Sequence, residues 1–298
     1  MTTAPIRHGI VAGIDGSDSA MDAARWAAGA AQRFDEPLHL THLLPKTPKS
    51  ADGTSTEPEE KLDDQLLAEG DELLDAAEKA VREANPDVVV ERSVKHGPPA
   101  RGLVDLSRTA RMLVLGRAGT SEMQSVFLGS DVIRVANNAK CPVAVWRGTH
   151  APDDTASRPV VVGVDGSKLS DLAVAHAFEF AAFFEVPLIA VHCWREVAGF
   201  GGYSEARRFS DLEVHEQRSD ARLAERLAGW GERYPDVKVT RSVERVGPNV
   251  ALLEHTEEAQ LVVVGSHGRN PFVASLIGST SQSLIHHALC PVLVCREG

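Results

Sequence analysis

Neither a long apolar run nor a basic tract occurs in this 298-residue sequence. No segment approaches the roughly twenty apolar residues that a membrane-crossing helix needs. Met1 to Ile14 has no apolar leader core and runs straight into a candidate strand, so a soluble, cytoplasmic protein without a membrane partner is expected. With 31 Lys and Arg against 42 Asp and Glu, the formal charge is −11. A nucleic-acid partner is not expected, because such binding needs a basic face to displace phosphate counterions. Cysteine is also sparse. Cys141, Cys193, Cys290 and Cys295 form no CxxC pair, and each lies in or beside an apolar run, as buried thiols do in a reducing compartment. Aromatics make up 5% of the residues, so Val, Leu, Ile and Ala must fill the cores. GxxxxGK[ST], GxGxxG and GxSxG are all missing, which removes the P-loop, the dinucleotide fingerprint and the nucleophile elbow.

What is present is a duplication. Gly13-Ile14-Asp15-Gly16-Ser17 returns as Gly163-Val164-Asp165-Gly166-Ser167, 150 residues later. Pro37 to His42 returns at Pro187 to His192, and Gly97-Pro98 at Gly247-Pro248, with the same offset. After one deletion, Gly116, Gly129 and Cys141-Pro142 match Gly265, Gly278 and Cys290-Pro291 at an offset of 149. A period this long describes domains rather than solenoid turns. The join falls in the polar stretch Arg147 to Arg158, which predicts domains over 1–148 and 158–298.

Within the first repeat, strands are expected at His8–Ile14, Leu38–Leu44, Val88–Val94, Met112–Leu115 and Pro142–Trp146. Helices are expected at Ser19–Phe34, at Glu59–Ala84 with Leu62, Leu66, Leu73 and Ala77 inward, at Pro99–Arg108 and at Gly129–Ala139. The second repeat gives the same order. Alternating strands and helices mean right-handed crossovers, hence two tandem doubly wound α/β domains with five-stranded parallel sheets. Ligands on such sheets lie beyond the strand C-termini, where the strand order reverses. Asp15 and Asp165 follow the first strands, and Gly116 and Gly265 the fourth; they converge if those strands are neighbours.

The fourth strand of the second repeat runs into Gly265-Ser266-His267-Gly268, nine residues, then Gly278-Ser279 at the start of a helix. The first repeat has Gly116-Arg117-Ala118-Gly119, nine residues, then Gly129-Ser130. Glycines let backbone N–H groups approach phosphate oxygens, and a helix N-terminus favours an anion. Two copies in register, each between strand and helix, point to phosphate binding. Ser130 and Ser279 add a hydroxyl or cap the helix, and the aspartate after the first strand can meet a ribose hydroxyl or a metal. His286 and His287 are adjacent on a helix, about 100° apart, so they do not share one ion. The Gly-rich stretch Ala198–Tyr203 reads as a flap or contact surface, and Pro45–Pro58 as a polar, disordered connection.

The G-x2-G-x9-G-S spacing, the GIDGS and GVDGS strand ends, the Pro-Leu…His second strands and the Cys-Pro-Val last strands resemble the universal stress protein family in its tandem form. The resemblance implies a Rossmann-like fold with strand order 3-2-1-4-5 and ATP, with or without Mg²⁺, on the strand-four loop. It implies Gly13 and Asp15, or Gly163 and Asp165, near ribose and adenine, and Leu43 or Cys193 offering backbone to the base. Gly116, Gly119, Gly129 and Ser130, or Gly265, Gly268, Gly278 and Ser279, would hold the triphosphate. It also implies association through the last strands, as a homodimer or an intrachain pseudo-dimer, and an unnamed regulatory partner. Members that bind ATP carry basic or small residues between the glycines and a further hydroxyl. His267, Arg269 and Ser281 match this, whereas Glu122, Asp131 and Val132 in the first repeat do not. Two carboxylates near phosphates repel them or hold Mg²⁺, so the two sites are expected to be unequal.

The expected function is an ATP-binding regulator of stress or growth arrest with slow turnover at most, and no catalytic residue. The alternatives are a nucleotide-dependent enzyme of the same α/β group, for which the SGGxDS signature is missing, and a nucleotide-free interaction module.

Overall fold

A computed structural model describes residues 8–44, 57–117, 129–147, 157–194, 205–268 and 276–297. The chain divides into two compact units, Met1–Pro152 with Arg296–Gly298, and Asp153–Cys295.

The first unit runs β1 (Ile10–Ile14), α1 (Asp18–Phe34), β2 (Leu38–Leu44), α2 (Glu57–Ala84), β3 (Val90–His96), α3 (Pro99–Leu106), β4 (Met112–Gly116), α4 (Gly129–Asn138) and β5 (Val143–Trp146). All pairings in its sheet are parallel, in the order β3-β2-β1-β4-β5. β1, β4 and β5 are buried along their whole length, which is why they read as continuous apolar runs. Ala23, Ala24, Ala27, Ala28, Ala30 and Ala31 of α1 are fully buried. With alanine methyl groups making up most of its inner face, this helix lies close against the sheet.

The second unit runs β6 (Val160–Gly163), α5 (Lys168–Phe184), β7 (Leu188–Cys193), α6 (Glu205–Leu227), α7 (Trp230–Arg233), β8 (Val239–Glu244), α8 (Pro248–His255), β9 (Leu261–Gly265), α9 (Ser279–His287) and β10 (Val292–Cys295). Its order is β10-β9-β6-β7-β8, again parallel. Counted within each unit, both sheets have the order 3-2-1-4-5. In both, the order reverses between the first and fourth strands.

Two details depart from the sequence expectation. The inward face of α2 is Leu74, Ala77 and Val81, whereas Leu62 is 47% exposed. The apolar stripe drifts around a helix of 28 residues, so its first turns leave the core. The long helix of the second unit is interrupted after Leu227. Gly229 adopts φ +83°, and α7 follows, with Trp230 and Tyr234 stacked on Phe178 at 5.5 and 5.9 Å. Phe178, at the centre of this stack, stands where the first repeat has Ala28.

Candidate functional site

The turn after the first strand is built alike in both units. Gly16 and Gly166 hold φ of +84° and +81°, the left-handed region that glycine enters without a Cβ penalty. Beyond it, Ser17 and Ser167 cap α1 and α5, accepting from the Ala20 and Ser170 amides, each at 3.2 Å. Asp15 Oδ1 accepts from the Ser17 amide (3.1 Å) and hydroxyl (2.6 Å), and Asp165 Oδ1 accepts from the Ser167 amide (2.9 Å). Each aspartate thus organises its own turn. Behind it, His42 Nδ1 lies 2.7 Å from the Ile14 carbonyl oxygen and His192 Nδ1 lies 2.6 Å from that of Val164. A carbonyl only accepts, so Nδ1 carries the proton in both rings. The duplicated histidines buttress the residue before each aspartate.

The strand-four glycines are explained by packing as well as by any ligand. A Cβ on Gly116 would overlap the Ala20 amide nitrogen and come within 2.5 Å of the Ser19 carbonyl carbon and 2.6 Å of Ala20 Cα. On Gly265 it would meet Leu169 Cβ at 2.9 Å and the Leu169 carbonyl carbon at 3.1 Å. The first turn of the capped helix presses on the end of the fourth strand, and only glycine leaves it room. Gly268 is different. Its Cβ would meet the carboxylate oxygen Oδ2 of Asp165 at 2.8 Å, so this glycine and this aspartate face each other.

Around that pair the second unit opens a cavity of about 570 Å³, within the size range of small-molecule sites. It is lined by Gly163 and Asp165 at the end of β6, Cys193 at the end of β7, and Gly265 and Gly268 after β9. Gly278, Ser279 and Ser281 at the start of α9 line it too, so all eight expected residues of this repeat meet at one cavity. Topology orders them across the sheet: β9 and α9 at one end, Asp165 in the middle, β7 and α8 at the other. The β7 end is apolar, with Val191, Pro248 and Leu252. Burial, and secondarily the Glu244 carboxylate, pushes the Cys193 thiol up to about 11, so it stays neutral there. At the other end, α9 starts at Gly278 with no side-chain cap. The Gly278 amide donates to the Ser266 carbonyl (2.7 Å), closing the loop, and the first intrahelical bond is that of Gln282 to Gly278. The amides of Ser279, Thr280 and Ser281 therefore have no intrahelical acceptor. Ser281 donates its hydroxyl to the Gly265 carbonyl (2.8 Å), tying helix to strand end.

In the first unit Gly13 lies in β1 beside Leu115, Leu43 is buried in β2, and Gly116 ends β4. Gly129 and Ser130 open α4, at the position that Gly278 and Ser279 occupy in the second unit. Gly119 and Glu122 fall outside the described residues, as do Arg269, Ala198–Tyr203 and residues 45–56; Glu57 and Pro58 begin α2. Asp131 pairs with Arg134 at 3.5 Å. Val132 is buried where Ser281 makes its tie, so the first unit lacks that hydroxyl. Arg117 has its basicity lowered, by burial first and by Arg147 second.

The cavity also uses residues that sequence reasoning passed over: Pro248, Leu252, Leu276, Ile277 and Thr280. Gly97-Pro98 and Gly247-Pro248 were a signal, since a Pro recurring at a helix start fixes the entry of α3 and α8. Among the described residues no group of three or more His, Cys, Asp or Glu could hold a metal ion. None of the described helices is long and apolar enough to cross a membrane. None of the four cysteines is in a disulfide; Cys141, Cys290 and Cys295 are buried and Cys193 is partly so.

Comparison with known proteins agrees with the repeat. The model of the universal stress protein family matches twice, over residues 7–147 and 156–296. A universal stress protein of Mycolicibacterium smegmatis is 36% identical, with 99% of both chains covered, and one of Mycobacterium tuberculosis is 38% identical, with 98% of both covered. The crystal structure of a universal stress protein from Archaeoglobus fulgidus shares the fold, with a TM-score of 0.68 at 21% identity over 97% of this chain and 98% of that one. The chain belongs to the universal stress protein family, as a tandem of two family units.

Proposed function

We propose that the second unit binds ATP and that the chain works as a nucleotide-responsive regulator in the cytoplasm rather than as a rapid enzyme. The observation that carries this reading is the graded cavity at the β6/β9 switch point. An uncapped helix start and a glycine loop suit phosphates, a carboxylate in the middle suits ribose hydroxyls, and an apolar pocket against α8 suits a purine. Cys193, held neutral, adds to the base-binding wall without charge. Any Mg²⁺ would arrive on the phosphates. Slow turnover is expected because the described lining offers a single carboxylate, Asp165, whose Oδ1 already accepts from the Ser167 amide. The first unit would act as a weaker site or as an interaction module, with Asp131 at the helix start where an anion would otherwise be welcome.

The test is the nucleotide content of protein purified without added ligand, followed by calorimetric titration with ATP. Retained or titratable ATP at about one per chain is expected. Absence of both retained nucleotide and binding heat would overturn the reading, and fast release of ADP or pyrophosphate would favour an enzyme.

A further inference from the structure

Resting on the ATP reading of this cavity, we infer that His267 makes nucleotide binding proton-linked: the imidazole takes up a proton as the phosphates enter, so affinity rises as pH falls from about 8 to 6. Among the cavity's described lining residues there is no Lys or Arg, and one carboxylate, Asp165, faces the space. A triphosphate entering there needs positive charge, and backbone dipoles supply only part of it. His267 is the one described lining side chain that can become a cation near neutral pH.

Its placement fits that task. His267 lies between Gly265 and Gly268, and the Cβ position of Gly278 falls 3.3 Å from His267 Cα and 3.8 Å from its Cβ. The residue therefore packs on the start of α9. His267 Nδ1 is 3.3 Å from the Ser266 hydroxyl, whose hydrogen can turn toward or away from it. His267 and the start of α9 line the same cavity. With phosphates between them, both are attracted to the same anion, and the protonated ring is favoured.

To this lining α9 contributes Ser279, Thr280 and Ser281, and α8 contributes Pro248 and Leu252. From β7 comes the neutral Cys193 thiol, and from the β6 turn comes Asp165, opposite Gly268. The counterpart of His267 in the first repeat is Ala118, so the linkage belongs to one unit alone.

The experiment is calorimetric titration of the full chain with ATP in buffers of different ionisation heat, at several pH values from 6 to 8, for the wild type, His267→Gln and His267→Lys. The titration of ATP itself is common to all three proteins and cancels in the comparison. The wild type should take up more protons than either variant. Its affinity should tighten by up to about tenfold across the range beyond that of His267→Gln, matching a roughly tenfold gain in the ring's proton affinity on binding. His267→Lys should bind with the pH response of the ligand alone, because its charge is constant there. Equal proton uptake in the wild type and His267→Gln, with ATP still bound, would overturn the linkage and leave the ATP site standing. No heat from any protein at any pH would overturn the ATP reading and the linkage with it. Should His267→Gln not fold, the wild type against His267→Lys decides by the same criterion.

Discussion

Replacing Gly116 by alanine should destabilise the first unit more than Gly265→Ala destabilises the second. At Gly116 the new methyl group would collide with backbone, the Ala20 amide nitrogen and Cα and the Ser19 carbonyl carbon, in the first turn of a helix fixed by its Ser17 cap. None of these can rotate away, so α1 must shift off the strand end. At Gly265 the nearest atom is Leu169 Cβ at 2.9 Å, and the backbone stands back at 3.1 Å. A few tenths of an ångström relieve that contact. Overpacking of this kind costs about 1–3 kcal/mol. We place Gly116→Ala near 3 and Gly265→Ala near 1, or about 6–12 °C and 2–4 °C in Tm for units of this size. Thermal unfolding followed by far-ultraviolet circular dichroism at fixed protein concentration measures both. Equal Tm values for Gly116→Ala and the wild type would refute the packing argument. A lower Tm for Gly265→Ala than for Gly116→Ala would refute the ranking by depth of overlap.

Gly268→Ala should spare stability yet weaken ATP binding about tenfold, because its methyl group displaces the Asp165 carboxylate inside the cavity; titration beside a melting curve checks both halves. Cys193 in the folded protein should react with iodoacetamide at pH 8 about 100-fold more slowly than in the unfolded chain, since a rise from 9.0 to about 11 removes two decades of thiolate. Glu244→Gln should recover only part of that rate, burial being the larger cause. The same shift makes the folded state hold a proton that the unfolded chain releases above pH 9. Stability is then unaffected below pH 9 and falls as pH rises toward 11, and Cys193→Ala should flatten that decline in a pH series of melting curves.

The fold was legible because the duplication doubles every signal. The apolar runs of β1, β4 and β9 announce strands covered on both faces, and Ser17 and Ser167 mark helix starts at a fixed distance beyond them. The glycine spacing marked one wall of the cavity for the same reason. Two things were hidden. The apolar end of the cavity depends on Pro248 and Leu252, which come from a different crossover and join Cys193 in its lining only through the strand order. The reason for Gly265 was hidden as well: a glycine that admits a helix from behind looks, in sequence, like a glycine that admits a ligand from the front. In α2 the apolar stripe promised burial for Leu62, but over 28 residues the stripe drifts around the helix and carries its early turns off the core.

The two histidine buttresses carry a practical consequence. His42 and His192 hold the same strand-end carbonyl in both units, whatever the loops beyond the fourth strands contain. The frame is therefore the same in both units although their loop sequences differ. Gly116 to Gly129 and Gly265 to Gly278 are equally long, so one loop can be transplanted for the other without changing the connection. A chain with two second-unit loops would present the same loop sequence on both frames, and each frame would serve as the internal control for the other.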